Sequence, residues 1–281
     1  MTEICKISDL SIGYSSVKAI ISDINLSVKK NCLISLIGPN GCGKSTLIKS
    51  LCGLHPLLDG EISINGKSIN KYSSKELSML LSFVLSEKID SGKLTVYDII
   101  SIGRHNYSNW WGTLDDGDKQ IIERVLKIMN LESLANRFYF ELSDGERQKV
   151  MIAKALVQEC PLILLDEPTA FLDVVSRIEI MHLLHRLAIE QDKAILLSTH
   201  DIEQALVLSD KLWLLTKGEG LQCGVTEDLI LSHRMDSLFP HKDIRFDYDH
   251  GVYYPTVGGQ RKVCVSCEDK TLLHWTMNAL N

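Results

Sequence analysis

Residues 38–46 read Gly-Pro-Asn-Gly-Cys-Gly-Lys-Ser-Thr and fit the pattern G-x-x-x-x-G-K-[ST], with Gly38, Gly43, Lys44 and Ser45 in the fixed places. The pattern suits the binding of a polyphosphate. Glycines let consecutive backbone N–H groups curl round an anion without a Cβ clash. In such a loop Pro39, Asn40, Gly41, Cys42 and Thr46 are further nucleotide-binding candidates, Lys44 reaches the β- and γ-phosphates, and the Ser45 hydroxyl ligates Mg²⁺. A second chemical cluster is Asp166-Glu167-Pro168-Thr169. Asp166 is placed to hold the same Mg²⁺, and Glu167 to polarise a water for attack on the γ-phosphate. His200, in Thr199-His200-Asp201, is a third candidate. Cys42, beside Lys44 and the backbone donors, is expected to carry a partly ionised, reactive thiol.

The elements around these residues are what such chemistry needs. Leu33–Ile37 is an apolar run that reads as a buried strand, and Thr46–Leu51 reads as the opening of a helix. Strand, glycine loop and helix place the helix N-terminus, with its positive dipole end, at the phosphates. Leu162–Leu165 and Ala194–Ser198 are further unbroken apolar runs, as expected for parallel strands covered on both faces. Each ends in a candidate residue, so Asp166, Glu167 and His200 are expected at one shared edge of the sheet. Upstream, Ser143 and Glu146 make a capping-box pattern that opens a helix through Val150, Ile152, Ala155 and Leu156.

That segment, Leu142-Ser143-Asp144-Gly145-Glu146, resembles the LSGGQ or LSGGE signature of the ATP-binding cassette (ABC) transporter ATPases. The resemblance covers approximately residues 4–235. It implies an α/β fold: a P-loop NTPase ABC cassette, with a RecA-like core of mixed sheet and a helical subdomain. It also implies that Ser143, Asp144, Gly145 and Glu146 face ATP held by a second copy. Asp144 stands where glycine is commonest, so its carboxylate is expected to point away from phosphate. Tyr14 resembles the aromatic that stacks on adenine, and Asp173, in Phe171-Leu172-Asp173, the loop that couples two ATP sites. The glutamine usual after the strand at Leu81–Leu85 is absent. Ser86 takes its place and Glu87 follows, read either as a Mg²⁺-facing ligand or as a plain surface acid.

Composition narrows the class. A chain of 281 residues with 45% hydrophobic residues and a formal net charge of −6 fits a soluble globular protein and disfavours a nucleic-acid surface. No apolar run approaches the roughly 18 residues that span a bilayer. The start, MTEICKISDL, lacks the basic and apolar regions of a signal peptide. The expected location is the cytoplasmic face of the inner or plasma membrane, peripheral through a permease. Eight cysteines are too few for a disulfide scaffold. Cys264 and Cys267 form a C-x-x-C on a strand-like run, where positions three apart face opposite sides; they read as packing thiols.

The expected organisation is an ATP-binding domain over residues 1–238, with a helical subdomain at approximately 87–157, and a small α+β extension over 239–281. The extension concentrates Phe246, Tyr248, Tyr253 and Tyr254 and is too small to be stable alone. Trp110 and Trp111 read either as an interface patch or as packed helix-end residues. The segment TVYDIISIGRHNYSNWWG resembles importers of iron-siderophore, haem or cobalamin type. The implied function is ATP binding and hydrolysis, with ATP and Mg²⁺, for a membrane importer. The implied partners are a second copy, integral-membrane permease subunits and, indirectly, an extracytoplasmic substrate-binding protein. A soluble ABC ATPase outside transport, such as an iron–sulfur assembly component, is the alternative.

Overall fold

A computed structural model describes residues 2–13, 19–85, 92–107, 113–216, 220–240, 243–255, 265–266, 269, 271–273 and 275–276. Tyr14, Ser86, Glu87, Trp110, Trp111, Cys264 and Cys267 lie outside the described residues.

The strands are β1 (Glu3–Ile12), β2 (Ile21–Lys29), β3 (Cys32–Ile37), β4 (Leu57–Ile64), β5 (Lys67–Ser68), β6 (Leu81–Val84), β7 (Leu162–Asp166), β8 (Ala194–Ser198), β9 (Lys211–Thr216), β10 (Gly220–Val225), β11 (Ile244–Asp247) and β12 (Val252–Pro255). The helices are α1 (Lys44–Leu51), α2 (Ser74–Ser78), α3 (Val96–Ile102), α4 (Asp116–Ile128), α5 (Asp144–Leu156), α6 (Val174–Glu190), α7 (Ile202–Leu208) and α8 (Thr226–Leu231).

The central sheet has the order β10-β9-β3-β8-β7-β6, parallel except for the antiparallel edge pair β10–β9. Every residue of β3, β7 and β8 is buried, which is why these strands are continuous apolar runs rather than alternating ones. A second sheet, β2-β1-β4-β5, is antiparallel, and β1 shows the interrupted alternation of a strand with one covered face. One face of the central sheet shares a core with this second sheet and α1. The other face packs on α3, α4, α5 and α6 in one continuous cluster, so the helical region has no core separate from the sheet.

Parallel register carries the site. Leu36 of β3 and Asp166 of β7 both pair with Ser198 of β8. The C-terminal ends of the three strands therefore meet at one edge, as the sequence predicts. The strand order adds something the sequence hid: β8 lies between β3 and β7, so Ser198 stands between the glycine loop and Asp166.

The C-terminal segment is built onto the sheet at β9. The β11–β12 hairpin places Phe246 opposite Tyr253, and Phe239, Phe246, Tyr248 and Tyr253 make edge-to-face contacts at 4.9 Å. Phe246 is buried with Ile37, Ala205, Leu212 and Leu214. Among the described residues no helix is long and apolar enough to cross a membrane.

Candidate functional site

The loop from Gly38 to Gly43 joins β3 to α1. A Cβ on Gly38 would lie 2.3 Å from the Leu215 carbonyl oxygen, and Gly43 has φ +110° with an added Cβ 2.8 Å from Ile20. Both positions exclude a side chain, for contact in one case and for backbone geometry in both respects at the other. The α1 helix starts at Lys44 with no side-chain cap, so its first N–H groups are left for an anion. Lys44 is buried, and its Nζ donates to the carbonyls of Gly38 at 2.8 Å and Pro39 at 3.2 Å. Burial lowers the pKa of this ammonium, while nearby acidic groups, among them Glu167 and Asp166, hold it up. Thr46 is buried beneath the loop, whereas Asn40 and Gly41 are exposed at its tip.

Cys42 corrects an expectation. It is only 4% exposed and belongs to the core cluster under the sheet, with its Sγ against Gly38. The thiol faces the interior and is shielded from reagents; what Cys42 offers the loop is its backbone.

Asp166 is the hub. Its Oδ1 accepts from the Ser45 hydroxyl at 3.0 Å and from the Ser198 hydroxyl at 2.7 Å. Ser198 also accepts from the Glu167 backbone N–H at 2.9 Å. One serine thus fixes both carboxylate-bearing residues, a role the sequence reading missed. Its only trace there is a polar residue closing the apolar run of β8. Glu167 holds φ 51°, a left-handed conformation unusual for a residue with a side chain, and its Oε1 lies 2.5 Å from Nε2 of His200. The two facing carboxyl positions differ: Asp166 is 5% exposed, whereas the Glu167 and His200 side chains are partly open to solvent. Asp166 suits a fixed ligand and Glu167 an exchanging base.

The residues beyond this edge are also tied to it. Arg177 donates to the Leu172 carbonyl at 3.0 Å and pairs with Asp201 at 3.4 Å, joining the Phe171–Asp173 loop to the segment after His200. Asp173 caps α6 by accepting from Ser176, which lowers its pKa. A cavity of about 520 Å³ opens beside Glu167, Phe171, Arg177, His200 and Tyr253, so the C-terminal hairpin reaches the same edge.

Ser143, Asp144, Gly145 and Glu146 open α5. Ser143 accepts from the Glu146 N–H at 3.3 Å and donates to its carboxylate at 2.8 Å, the capping box the sequence predicts. Asp144 turns back along its own helix to Arg147 at 3.3 Å. Gly145 approaches Ser176, with an added Cβ 3.1 Å from its hydroxyl, which puts the signature beside the Asp173 cap.

The glycine loop, the Leu142–Glu146 helix opening and the Asp166-Glu167 pair follow one another along the chain, as the resemblance to one ATPase family requires. The profile described as ABC transporter matches residues 21–170. The chain belongs to the ABC transporter family. It is 36% identical over 230 residues to the iron(3+)-hydroxamate import ATP-binding protein FhuC of Bacillus subtilis, covering 82% of this chain and 85% of that protein. It is 34% identical over 253 residues to the petrobactin import ATP-binding protein FpuC of Bacillus anthracis, covering 90% and 93%. A solved inward-facing structure of a metal-chelate type ABC transporter matches with TM-score 0.74 and 28% identity, over 90% of this chain and 96% of that one. This ABC cassette is an ATP-binding, ATP-hydrolysing subunit.

The residues present also fit Mg²⁺. Among the described residues no group of three or more His, Cys, Asp and Glu forms a metal cage. Mg²⁺ with ATP needs none, because one carboxylate, one hydroxyl, waters and phosphate oxygens complete its shell. Ser45 and Asp166, already 3.0 Å apart, would supply that hydroxyl and carboxylate.

Proposed function

We propose that this chain is the motor subunit of a membrane importer for iron-siderophore-type chelates, with haem and cobalamin as the neighbouring classes. Two copies sandwich two ATP molecules. Each copy supplies its own glycine loop, Asp166, Glu167 and His200, and receives Ser143 and Gly145 from the other. Integral-membrane permease subunits hold the pair at the cytoplasmic face, and an extracytoplasmic binding protein delivers the chelate. The importer reading rests on the likeness to the FhuC and FpuC import subunits, and its hydrolytic half on the contact of Glu167 with His200 next to the Asp166–Ser45 pair.

In hydrolysis, Glu167 accepts a proton from the water whose oxygen bonds to the γ-phosphorus, as the bond to the β-phosphate oxygen breaks and ADP leaves. His200 orients Glu167 and is placed for the γ-phosphate. Lys44 meets the charge on the β- and γ-oxygens. Mg²⁺, when held by Ser45 and Asp166, would supply further neutralisation of that charge.

The test is reconstitution in vesicles with integral-membrane permease subunits of the siderophore-import class and their binding protein. The expected result is ATP-dependent uptake of a ferric siderophore, lost in Glu167→Gln. ATP hydrolysis that no permease stimulates, with no uptake of any iron chelate, would point instead to an ABC ATPase outside transport.

A further inference from the structure

The loop after α3 does something to α5 that the functional reading does not use. Helix α5 ends with unpaired carbonyls, as every helix does. Here three different groups meet the carbonyls of its last residue, Leu156, of its cap, Val157, and of the next residue, Gln158. Glu159 N–H donates to the Leu156 carbonyl at 2.9 Å, Arg104 to the Val157 carbonyl at 2.8 Å, and the Tyr107 hydroxyl to the Gln158 carbonyl at 2.8 Å. Two of the three come from the α3 loop. Arg104 is 5% exposed; its Nε is held by Asp118 at 2.8 Å, and the nitrogen that meets Val157 also meets Glu159 at 3.3 Å. Its guanidinium lies 3.9 Å from the Tyr107 ring centroid, so Tyr107 covers the ion pair as well as bonding beyond it.

The approach is close because Gly103 allows it. A Cβ there would stand 2.3 Å from the Lys154 carbonyl oxygen and 2.5 Å from Val157. Backbone therefore lies on backbone where α3 meets the last turn of α5. The outer side of this loop remains open: Ile102 is 49% exposed and Tyr107 38%.

We propose that Arg104 and Tyr107 are positioning residues for the signature. They clamp the C-terminal end of α5 and so set where its N-terminal Ser143 and Gly145 meet the nucleotide of a second copy. A helix of 13 residues is roughly 20 Å long, so a tilt of about 5° at the clamped end moves the signature by roughly 2 Å. Phosphate contacts do not tolerate that displacement. The proposal rests on the two-copy sandwich, and its test separates the two ideas.

The parent protein for the test is Glu167→Gln, titrated with Mg-ATP and followed by analytical ultracentrifugation. Affinity of the monomer for a fluorescent ATP analogue and thermal stability are measured on the same samples. Arg104→Lys keeps a charge for Asp118 but cannot bond Asp118 and Val157 together, because its head is a single point rather than a fork. It should raise the ATP concentration for half-dimerisation about tenfold, and Tyr107→Phe about threefold, with monomer affinity unchanged within about twofold. Asp118→Asn is the structural control: it weakens the buried pair but leaves the Val157 and Gln158 carbonyls bonded, so it should lower thermal stability more than dimerisation. Arg104→Lys and Tyr107→Phe dimerising like the parent overturns the clamp. So does dimerisation that merely tracks thermal stability across all three variants. A parent that stays monomeric at saturating ATP refutes the sandwich, and the clamp with it.

Discussion

The two clusters proposed to meet phosphate are finished to different degrees. At the sheet edge, Ser45, Asp166, Ser198, Glu167 and His200 are already bonded to one another in the geometry their chemistry needs. At the signature, Ser143 spends its hydroxyl on Glu146, within its own helix cap. The first site is preorganised by three parallel strands that cannot shift independently. The second is a helix N-terminus whose donors are committed locally until a stronger acceptor arrives. A γ-phosphate carries more charge than a half-exposed glutamate and can displace it. In the proposed two-copy assembly, chemistry is therefore rigid in each copy, and assembly is where the energy of ATP binding would be read.

The largest expected effect falls on the rigid side. Glu167→Gln should reduce turnover by about 10²- to 10⁴-fold while nucleotide affinity persists, because Lys44 and the loop are untouched. Steady-state ATPase assays and nucleotide binding check this together. Near-normal turnover would move the base elsewhere and dissolve the contrast. On the signature side, Ser143→Ala should lower turnover by about 10²-fold and stability by about 1 kcal/mol through loss of the cap. Monomer affinity for ATP should not change. The diagnostic difference lies in assembly: the Glu167 variant accumulates as a dimer with ATP, and the Ser143 variant does not. If Ser143→Ala dimerises as well as the Glu167 variant, the signature does not face a second nucleotide.

Ser198 sharpens the rigid half. Removing its hydroxyl takes one bond from Asp166 and one from the Glu167 backbone, yet both residues keep other partners. Ser198→Ala should lower kcat by roughly tenfold, with KM for ATP within about twofold and little loss of stability. A large rise in KM with unchanged kcat would mean that Ser198 serves the loop and not the base.

The sequence made some of this legible and hid the rest for identifiable reasons. The glycine loop, the strand ends and the Ser143–Glu146 box are local patterns, and local patterns survive folding. Helix α6 begins at Val174 behind its Asp173 cap, itself a local pattern. Ser198 escaped because its importance comes from strand order: only the interposition of β8 brings it to Asp166. Arg104 carries no local pattern, since its partners Asp118, Val157 and Glu159 come from two later segments. Cys42 was misjudged because a motif fixes backbone positions without fixing which way an intervening side chain turns. The aromatics of the extension were visible, but the surface they cover, Ile37, Leu212 and Leu214, is a tertiary fact.

The smallest expected effect concerns the cap itself, and it tests whether the signature is held by a charge. The Glu146 carboxylate accepts from the Ser143 backbone N–H and hydroxyl, which depresses its pKa below the usual glutamate value, with slight desolvation opposing. A depressed folded value means stabilisation that is complete above the unfolded pKa and is lost as pH falls through the folded one. Glutamine can occupy the same capping position without a charge. Wild type should therefore exceed Glu146→Gln in melting temperature by on the order of 1 °C near neutrality. That gap should hold constant down to about pH 5 and close as acid protonates the folded carboxylate, below the ordinary glutamate range. Thermal melts of both proteins across that range measure it. A gap that persists in acid would show that the box is held by shape alone. The signature would then have no charge for a γ-phosphate to displace, and the contrast between the two sites would lose its physical cause.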